Sequence, residues 1–246
     1  MRIAAMADLH CAKVPQEALT SAFARMRDHA DALVLCGDLT DYGLPEEARL
    51  LARDLGAVRL PMVAVLGNHD FESGKQDEVA AILTDAGVKM LDGDAVEVEG
   101  VGFAGAKGFA GGFNERMLGA WGEEGIKRFV HESIDEALKL ESALARLRTT
   151  RRVVLLHYAP VRGTVEGEPL EIFPFLGSSR LEDPINRHPV DMVFHGHAHR
   201  GQLESATRGN VPVYNVAVPL LRSALPHGPV FRVVDLPATA ATETAA

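Results

Sequence analysis

The first 90 residues alternate short apolar runs with helical spacing, and that alternation narrows the folds open to this chain more than anything else in it. "RIAAMA" reads as a strand. In "PQEALTSAFARMRDHA", Leu19, Phe23 and Met26 recur at helical intervals, and Pro15 suits a helix start. "ALVLC" is a second strand, "PEEARLLARDLG" a helix stopped by Gly56, "PMVAVL" a third strand, and "DEVAAILTDAG" a helix stopped by Gly87. These strands are apolar on both faces, so neither face is left for water. The rhythm predicts a βαβαβ unit, a parallel sheet covered by helices, and an α/β fold class.

Further along, "VKML", "AVEVEG" and "VGFAGA" are short strands between 88 and 106, and "KGFAGGFNERMLGAWG" is a loop. "EEGIKRFVHESIDEALKLESALARLR" is the longest helical pattern. Ile134, Leu138, Ala145 and Leu140, Leu144, Leu147 form its expected apolar stripe. "RVVLLH", "VDMVFH", "VPVYNVA" and "PVFRVVDL" restore strand character. The Gly- and Pro-containing stretch from 158 to about 180 is long for a connection, which is the mark of a pocket wall or lid. A single domain over residues 1–236 is expected, with a flexible tail, "PATAATETAA", at 237–246.

Composition removes several function classes. Acidic residues outnumber basic ones, 34 to 25, for a net charge of −9. That balance disfavours nucleic acid as a partner, which needs a concentrated basic surface. The basic "RLRTTRR" reads as a helix end. "MRIAAMADLHC" breaks its apolar run at Asp8 and does not read as a secretory signal, and no run reaches the roughly 18 apolar residues of a membrane span. Cys11 and Cys36 imply no disulfide framework, so a cytoplasmic setting is expected.

The chemistry-bearing residues fall where strands end. The first strand runs into Asp8 and His10, two positions apart and so on one side of an extended chain. "CGDLTD" offers Asp38 and Asp41; "GNHD" offers Asn68, His69 and Asp70; later strands end in His157 and in "FHGHAHRG" with His195, His197 and His199. In open parallel sheets, ligands bind outside the carboxyl ends of the strands. Asp8, His10, Asp38, Asn68, His157, His197 and His199 make a set of oxygen and nitrogen donors without sulfur. One catalytic zinc uses three protein ligands. Seven donors suit two divalent ions, with one carboxylate bridging, and their chemistry suits Mn, Fe or Zn. Two ions roughly 3.5–4 Å apart can hold a phosphoryl oxygen and generate a hydroxide, so the chemistry indicated is metal-assisted hydrolysis.

"DLH", "GDLTD", "GNHD", the isolated His157 and "GHAH" follow one another as D-x-H, G-D, G-N-H-[DE], H and G-H-x-H. In this order they resemble the calcineurin-like metallophosphoesterase superfamily, over residues 8 to 199. The resemblance implies a four-layer αββα sandwich of two packed mixed sheets, with the metal site at the carboxyl ends of the strands. It implies that Asp8, His10 and His199 hold one ion, that Asp38 bridges, and that Asn68, His157 and His197 complete the second site. His69 would protonate the leaving oxygen or hold the phosphate, with Asp70 orienting it. Asp41 is expected to close the turn after the second strand, and His195 to cap its strand or support a ligand.

The chain is also similar to the compact bacterial class III cyclic-nucleotide phosphodiesterases. The leading expectation is therefore a phosphodiesterase on small substrates such as cyclic nucleotides, working by in-line attack of a metal-bound hydroxide. A phosphomonoesterase using the same centre is the alternative, ahead of a nuclease or a noncatalytic scaffold. Lys107, Arg162 and Arg222 are candidate substrate contacts, and either a monomer or a homodimer fits the sequence.

Overall fold

The alternation becomes β1 (Arg2–Met6), α1 (Gln16–Met26), β2 (Ala32–Cys36), α2 (Pro45–Leu55), β3 (Met62–Val65), α3 (Gln76–Asp85) and β4 (Val88–Met90). The second half contributes β5 (Asp94–Val98), β6 (Val101–Gly105), the long α4 (Glu124–Arg146) and β7 (Arg151–Leu155). After it come α5 (Phe173–Leu176), α6 (Glu182–Arg187), β8 (Met192–His195), β9 (Glu204–Ala206), β10 (Pro212–Asn215), α7 (Val218–Ala224) and β11 (Arg232–Asp235). The computed structural model describes residues 1–11 and 16–236. Pro15 and the 237–246 tail lie outside the described residues.

Two sheets form. One runs β11-β1-β2-β3-β4, the other β5-β6-β7-β8-β10-β9. Strands β1–β4 are parallel, as are β6, β7, β8 and β10. Antiparallel strands close three of the four edges, β11 on β1, β5 on β6 and β9 on β10, and the parallel β4 forms the fourth. A purely parallel sheet is thus corrected to two mixed ones, matching the four-layer arrangement.

Side-chain alternation explains the layers. Ile3, Ala5, Val34 and Val63 face Phe103, Val153, Leu155 and Phe194 across the gap between the sheets. Ala4, Met6, Leu33 and Leu35 point the other way, onto Leu19, Phe23, Leu51, Val79 and Leu83 of the first three helices. The second sheet buries Ala104, Val154 and Val193 against Leu140 and Leu144 of α4. Strands apolar on both faces therefore have one face on helices and the other on a second sheet. Each fully buried Leu, Val or Phe contributes roughly 1.5–3 kcal/mol to this sandwich.

The stripe expected on α4 is half right. Leu140 and Leu144 face the core with Val130 and Ala143, and Leu147, just past the helix end, is buried too, whereas Leu138 is 59% exposed and Ile134 only half-buried. Among the described residues no helix is long and apolar enough to cross a membrane.

Candidate functional site

The strand-end donors meet. β1, β2 and β3 bring them from one sheet, β7 and β8 from the other. Three sets of donor atoms each lie within 4.8 Å of one another: Asp8, His10, His199; His10, Asp38, His69; and Asp38, His157, His197. Asp38 stands between the outer two. Its Oδ2 is 3.9 Å from His10 Nε2 and its Oδ1 is 3.4 Å from His157 Nε2. Asn68 Oδ1 approaches the same His157 nitrogen at 2.9 Å. On the other side Asp8 Oδ1 lies 2.9 Å from His199 Nε2.

Local backbone, more than strand alternation, brings about this convergence. Asp8 (φ 57°), His10 (φ 41°), Asp38 (φ 49°) and His197 (φ 69°) all take left-handed conformations. Such residues cost on the order of 1–3 kcal/mol each and persist where the surroundings over-determine them. β1 has ended at Met6, so Asp8 and His10 share a side through a turn and not through extended pleating. Two motif glycines are explained by close approach. A Cβ at Gly67 would lie 2.2 Å from Asp38 Oδ1, and one at Gly196 would lie 2.4 Å from Asp8 Oδ2.

The electrostatics call for cations. His157 is fully buried, and burial lowers its pKa well below the usual value, so it carries one proton. Its Nδ1–H donates to the Cys36 carbonyl at 2.9 Å. That leaves Nε2 as a lone pair facing Asn68 Oδ1 at 2.9 Å and Asp38 Oδ1 at 3.4 Å, so three donor atoms for a metal converge on one point. His10 Nε2 is buried without a hydrogen-bond partner. Burial, then the charges of Asp8 and Asp70, push the Asp38 carboxyl up to about 9. Burial also works against the Asp8 anion, but the His199 hydrogen bond and the favourable fields of the His157, His199 and His197 imidazoles outweigh it and hold that carboxyl down to about 2. One acid keeps its charge at the expense of the other; divalent cations would let both ionise. Converging lone pairs, an orphaned imidazole nitrogen and an all-nitrogen-and-oxygen donor set fit two such ions.

The neighbouring polar residues divide into several roles. His69 Nδ1–H donates to the Asp41 carbonyl at 2.7 Å, leaving Nε2 as the nitrogen free for chemistry. The Asp41 carboxylate lies 3.0 Å from His10 Nδ1, behind a donor, which is more than closing a turn. Asp70 does not orient His69 in the way expected. Its carboxylate accepts from the backbone N–H groups of Leu39, Thr40 and Gly67 and from the Thr40 hydroxyl, pinning the β2 and β3 loops together. His195 has both nitrogens engaged, Nδ1 with the Gly196 carbonyl and Nε2 with the Thr164 hydroxyl, each at 2.8 Å. It therefore supports the loop and offers no free donor.

The candidate substrate contacts scatter. Lys107 sits beside the centre, its carbonyl accepting from the His157 and Tyr158 N–H groups. Its ammonium donates to the Gly108 carbonyl and lies 4.9–5.4 Å from the Phe71, Phe109 and Tyr158 ring centroids. Arg162 faces Glu166 at 3.6 Å and lies over Phe173. Arg222 is exposed in the last turn of α7.

Three supporting groups escape sequence reasoning. Asn215 donates to the Ala198 carbonyl at 2.7 Å, bracing the "GHAH" loop; as a polar residue ending an apolar run it was visible in principle. The Phe175 carbonyl accepts from His197 Nε2 at 3.2 Å, leaving Nδ1 for an ion. Buried Glu136 accepts from the Gly108 N–H at 2.8 Å and fixes the loop after β6. A backbone carbonyl and a helical Glu carry no motif.

Comparison with known proteins agrees with this geometry. The calcineurin-like phosphoesterase family model matches residues 1–201. A 45-residue stretch is 42% identical to glycerophosphodiester phosphodiesterase GpdQ of Enterobacter lignolyticus (strain SCF1), covering 18% of this chain and 16% of that one, so the chain matches about a sixth of that relative's length. Phosphopantetheinyl hydrolase PptH from Mycobacterium tuberculosis superposes with a TM-score of 0.67 at 16% identity, over 96% of each chain. Purple acid phosphatase PPD1 from yellow lupin (Lupinus luteus) seeds gives a TM-score of 0.53 at 15% identity, over 81% of this chain and 38% of that one. At such identities the two structures speak to the fold alone. The family match spans most of the chain and every donor motif: the chain belongs to the calcineurin-like phosphoesterase family.

Proposed function

We propose that this protein is a phosphodiesterase acting on small substrates such as cyclic nucleotides. Asp8, His10 and His199 would hold one divalent ion and Asn68, His157 and His197 the other, with Asp38 shared. The observation that carries this is the Asp38 carboxylate, with one oxygen turned to His10 and the other to His157. Bound divalent ions of the Mn, Fe or Zn type supply Lewis acidity toward a phosphoryl group and toward water.

The remaining work falls to the chain. A diester leaves as a poor alkoxide and needs a proton on its leaving oxygen. His69 is positioned to deliver it from Nε2, because Nδ1–H is held on the Asp41 carbonyl. Asp41 orients His10 through its carboxylate and His69 through its carbonyl. The short match to a glycerophosphodiester phosphodiesterase favours diesters over monoesters. The test is a panel of cyclic AMP, bis(4-nitrophenyl) phosphate and 4-nitrophenyl phosphate, assayed with Mn, Fe and Zn. Turnover of the diesters is expected. Good cleavage of the monoester with neither diester touched would replace this reading by a phosphomonoesterase.

A further inference from the structure

Two neighbouring segments form an apolar rim, and one of them touches the donor His197 through the Phe175 carbonyl. Leu118, Trp121 and Ile126 expose their side chains on one segment, and Leu170, Ile172 and Phe175 do so on another. Trp121 is 75% exposed, Leu170 69% and Phe175 56%. The two segments are neighbours. The Gly111 N–H donates to the Pro174 carbonyl and the Leu118 N–H to the Gly111 carbonyl, both at 2.7 Å. The Phe129 and Phe175 rings lie 6.1 Å apart. Singly exposed apolar residues are ordinary, but a group of them beside a polar reaction centre marks a binding surface.

This rim leads inward. Phe129 contacts Phe109 at 5.1 Å, Phe109 contacts Tyr158 at 5.7 Å, and Tyr158 meets the donor His197 at 4.5 Å between centroids. Phe175 joins both ends, with its ring at the rim and its carbonyl on His197 Nε2. Resting on the phosphodiesterase reading above, we propose that this ladder receives a large apolar arm of the ester, so that the preferred substrate is a small diester with one alkyl or aryl substituent. An anionic membrane surface is the wrong occupant for a chain of net charge −9. The continuous ring contacts down to His197 point to an arm attached to the phosphoryl group itself.

The test is calorimetric binding of methyl-, butyl- and octylphosphonate to the Mn-loaded protein, each below its micelle concentration. Every fully buried methylene is worth about fourfold in affinity. Butylphosphonate is expected to bind at least about tenfold more tightly than methylphosphonate, and octylphosphonate more tightly still. Phe175→Ala combined with Leu170→Ala should flatten that slope while elemental analysis still finds both ions, since the residue-175 carbonyl remains. A flat series in the unsubstituted protein, or an unchanged slope in the double variant, overturns the proposal. A slope that appears only with phosphatidylglycerol vesicles also overturns it, in favour of a membrane. So does a flat series in a protein whose dimer the same variant dissociates, in favour of a second copy. Phosphonate binding needs no turnover. A steep slope with no diester hydrolysis would therefore support the apolar site while removing the phosphodiesterase reading.

Discussion

The donor loops and the walls beside them are built by opposite rules. In the donor loops, buried polar atoms face one another, four of the donors hold left-handed backbone, and motif glycines make room for carboxylates. In the walls, apolar side chains face outward, and backbone bonds such as Gly112 N–H to the Gly177 carbonyl and Ala159 N–H to the Leu176 carbonyl fix the path. The loops store strain and unpaired lone pairs that an ion relieves. The walls store exposed apolar area that, on the proposal above, a substrate would cover. Substitutions in the first region should remove chemistry, and those in the second should change selectivity.

Asp38 is where that contrast is sharpest. Asp38→Ala removes the oxygens facing both donor sets, and kcat/KM should fall on the order of 10⁴-fold or more, with fewer than two ions per chain by elemental analysis. Two retained ions and activity within tenfold would end the bridging reading. The same residue makes a prediction for the metal-free protein. Its carboxyl is pushed from 3.8 to about 9 on folding, so its contribution is complete below 3.8 and is lost as pH rises toward 9. Asp38→Asn should therefore stabilise the chelator-treated protein, and by more at about pH 8.5 than at about pH 5 in urea melts. An equal effect at both values would mean that Asp38 is not forced to ionise in an unfavourable place.

His69 and Asp41 test how the loops divide binding from proton transfer. His69→Ala should keep both ions and lose about 10²–10⁴-fold in kcat, most for esters with poor leaving groups. If it strips an ion instead, His69 belongs with the donors, as its place in the His10–Asp38–His69 set would allow. Asp41→Ala removes the carboxylate behind His10 and should weaken metal affinity by about 10–100-fold, read by competition with a chelator. Unchanged affinity would return Asp41 to the turn-closing role its sequence position implies.

Legibility follows the same division. The convergence of the strand-end residues could be read because parallel strands deliver their ends to one place, and metal chemistry restricts a candidate donor position to a few residue types. The fourth layer was not legible from periodicity, since Ile3 and Ala4 look equally apolar whether a helix or a sheet covers them; the family resemblance supplied it. Asp70 misled because adjacency to His69 says nothing of side-chain direction in a tight 3₁₀ turn. The short helices α5, α6 and α7 and the strand β9 are too brief to show a period. The Phe175 carbonyl and Glu136 act through contacts across the chain that no local pattern records.

The smallest effects belong to the cations once expected to bind substrate, and they test whether the walls recognise charge at all. Lys107 has its ammonium among three rings and on the Gly108 carbonyl, and burial lowers its pKa. A desolvated cation over aromatic faces is worth about 0.5–2 kcal/mol. Lys107→Ala should therefore cost about that much stability in urea melts, with kcat/KM within about tenfold of the unsubstituted protein. Arg222→Ala should change neither quantity measurably, because the guanidinium stands exposed on α7. The pair is diagnostic. A large KM increase for Lys107→Ala at unchanged stability would mean that the wall holds the phosphate by charge, and that the aromatic box is only where Lys107 rests before substrate arrives. Lost stability with a modest kinetic change would leave the wall apolar in function as well as in composition.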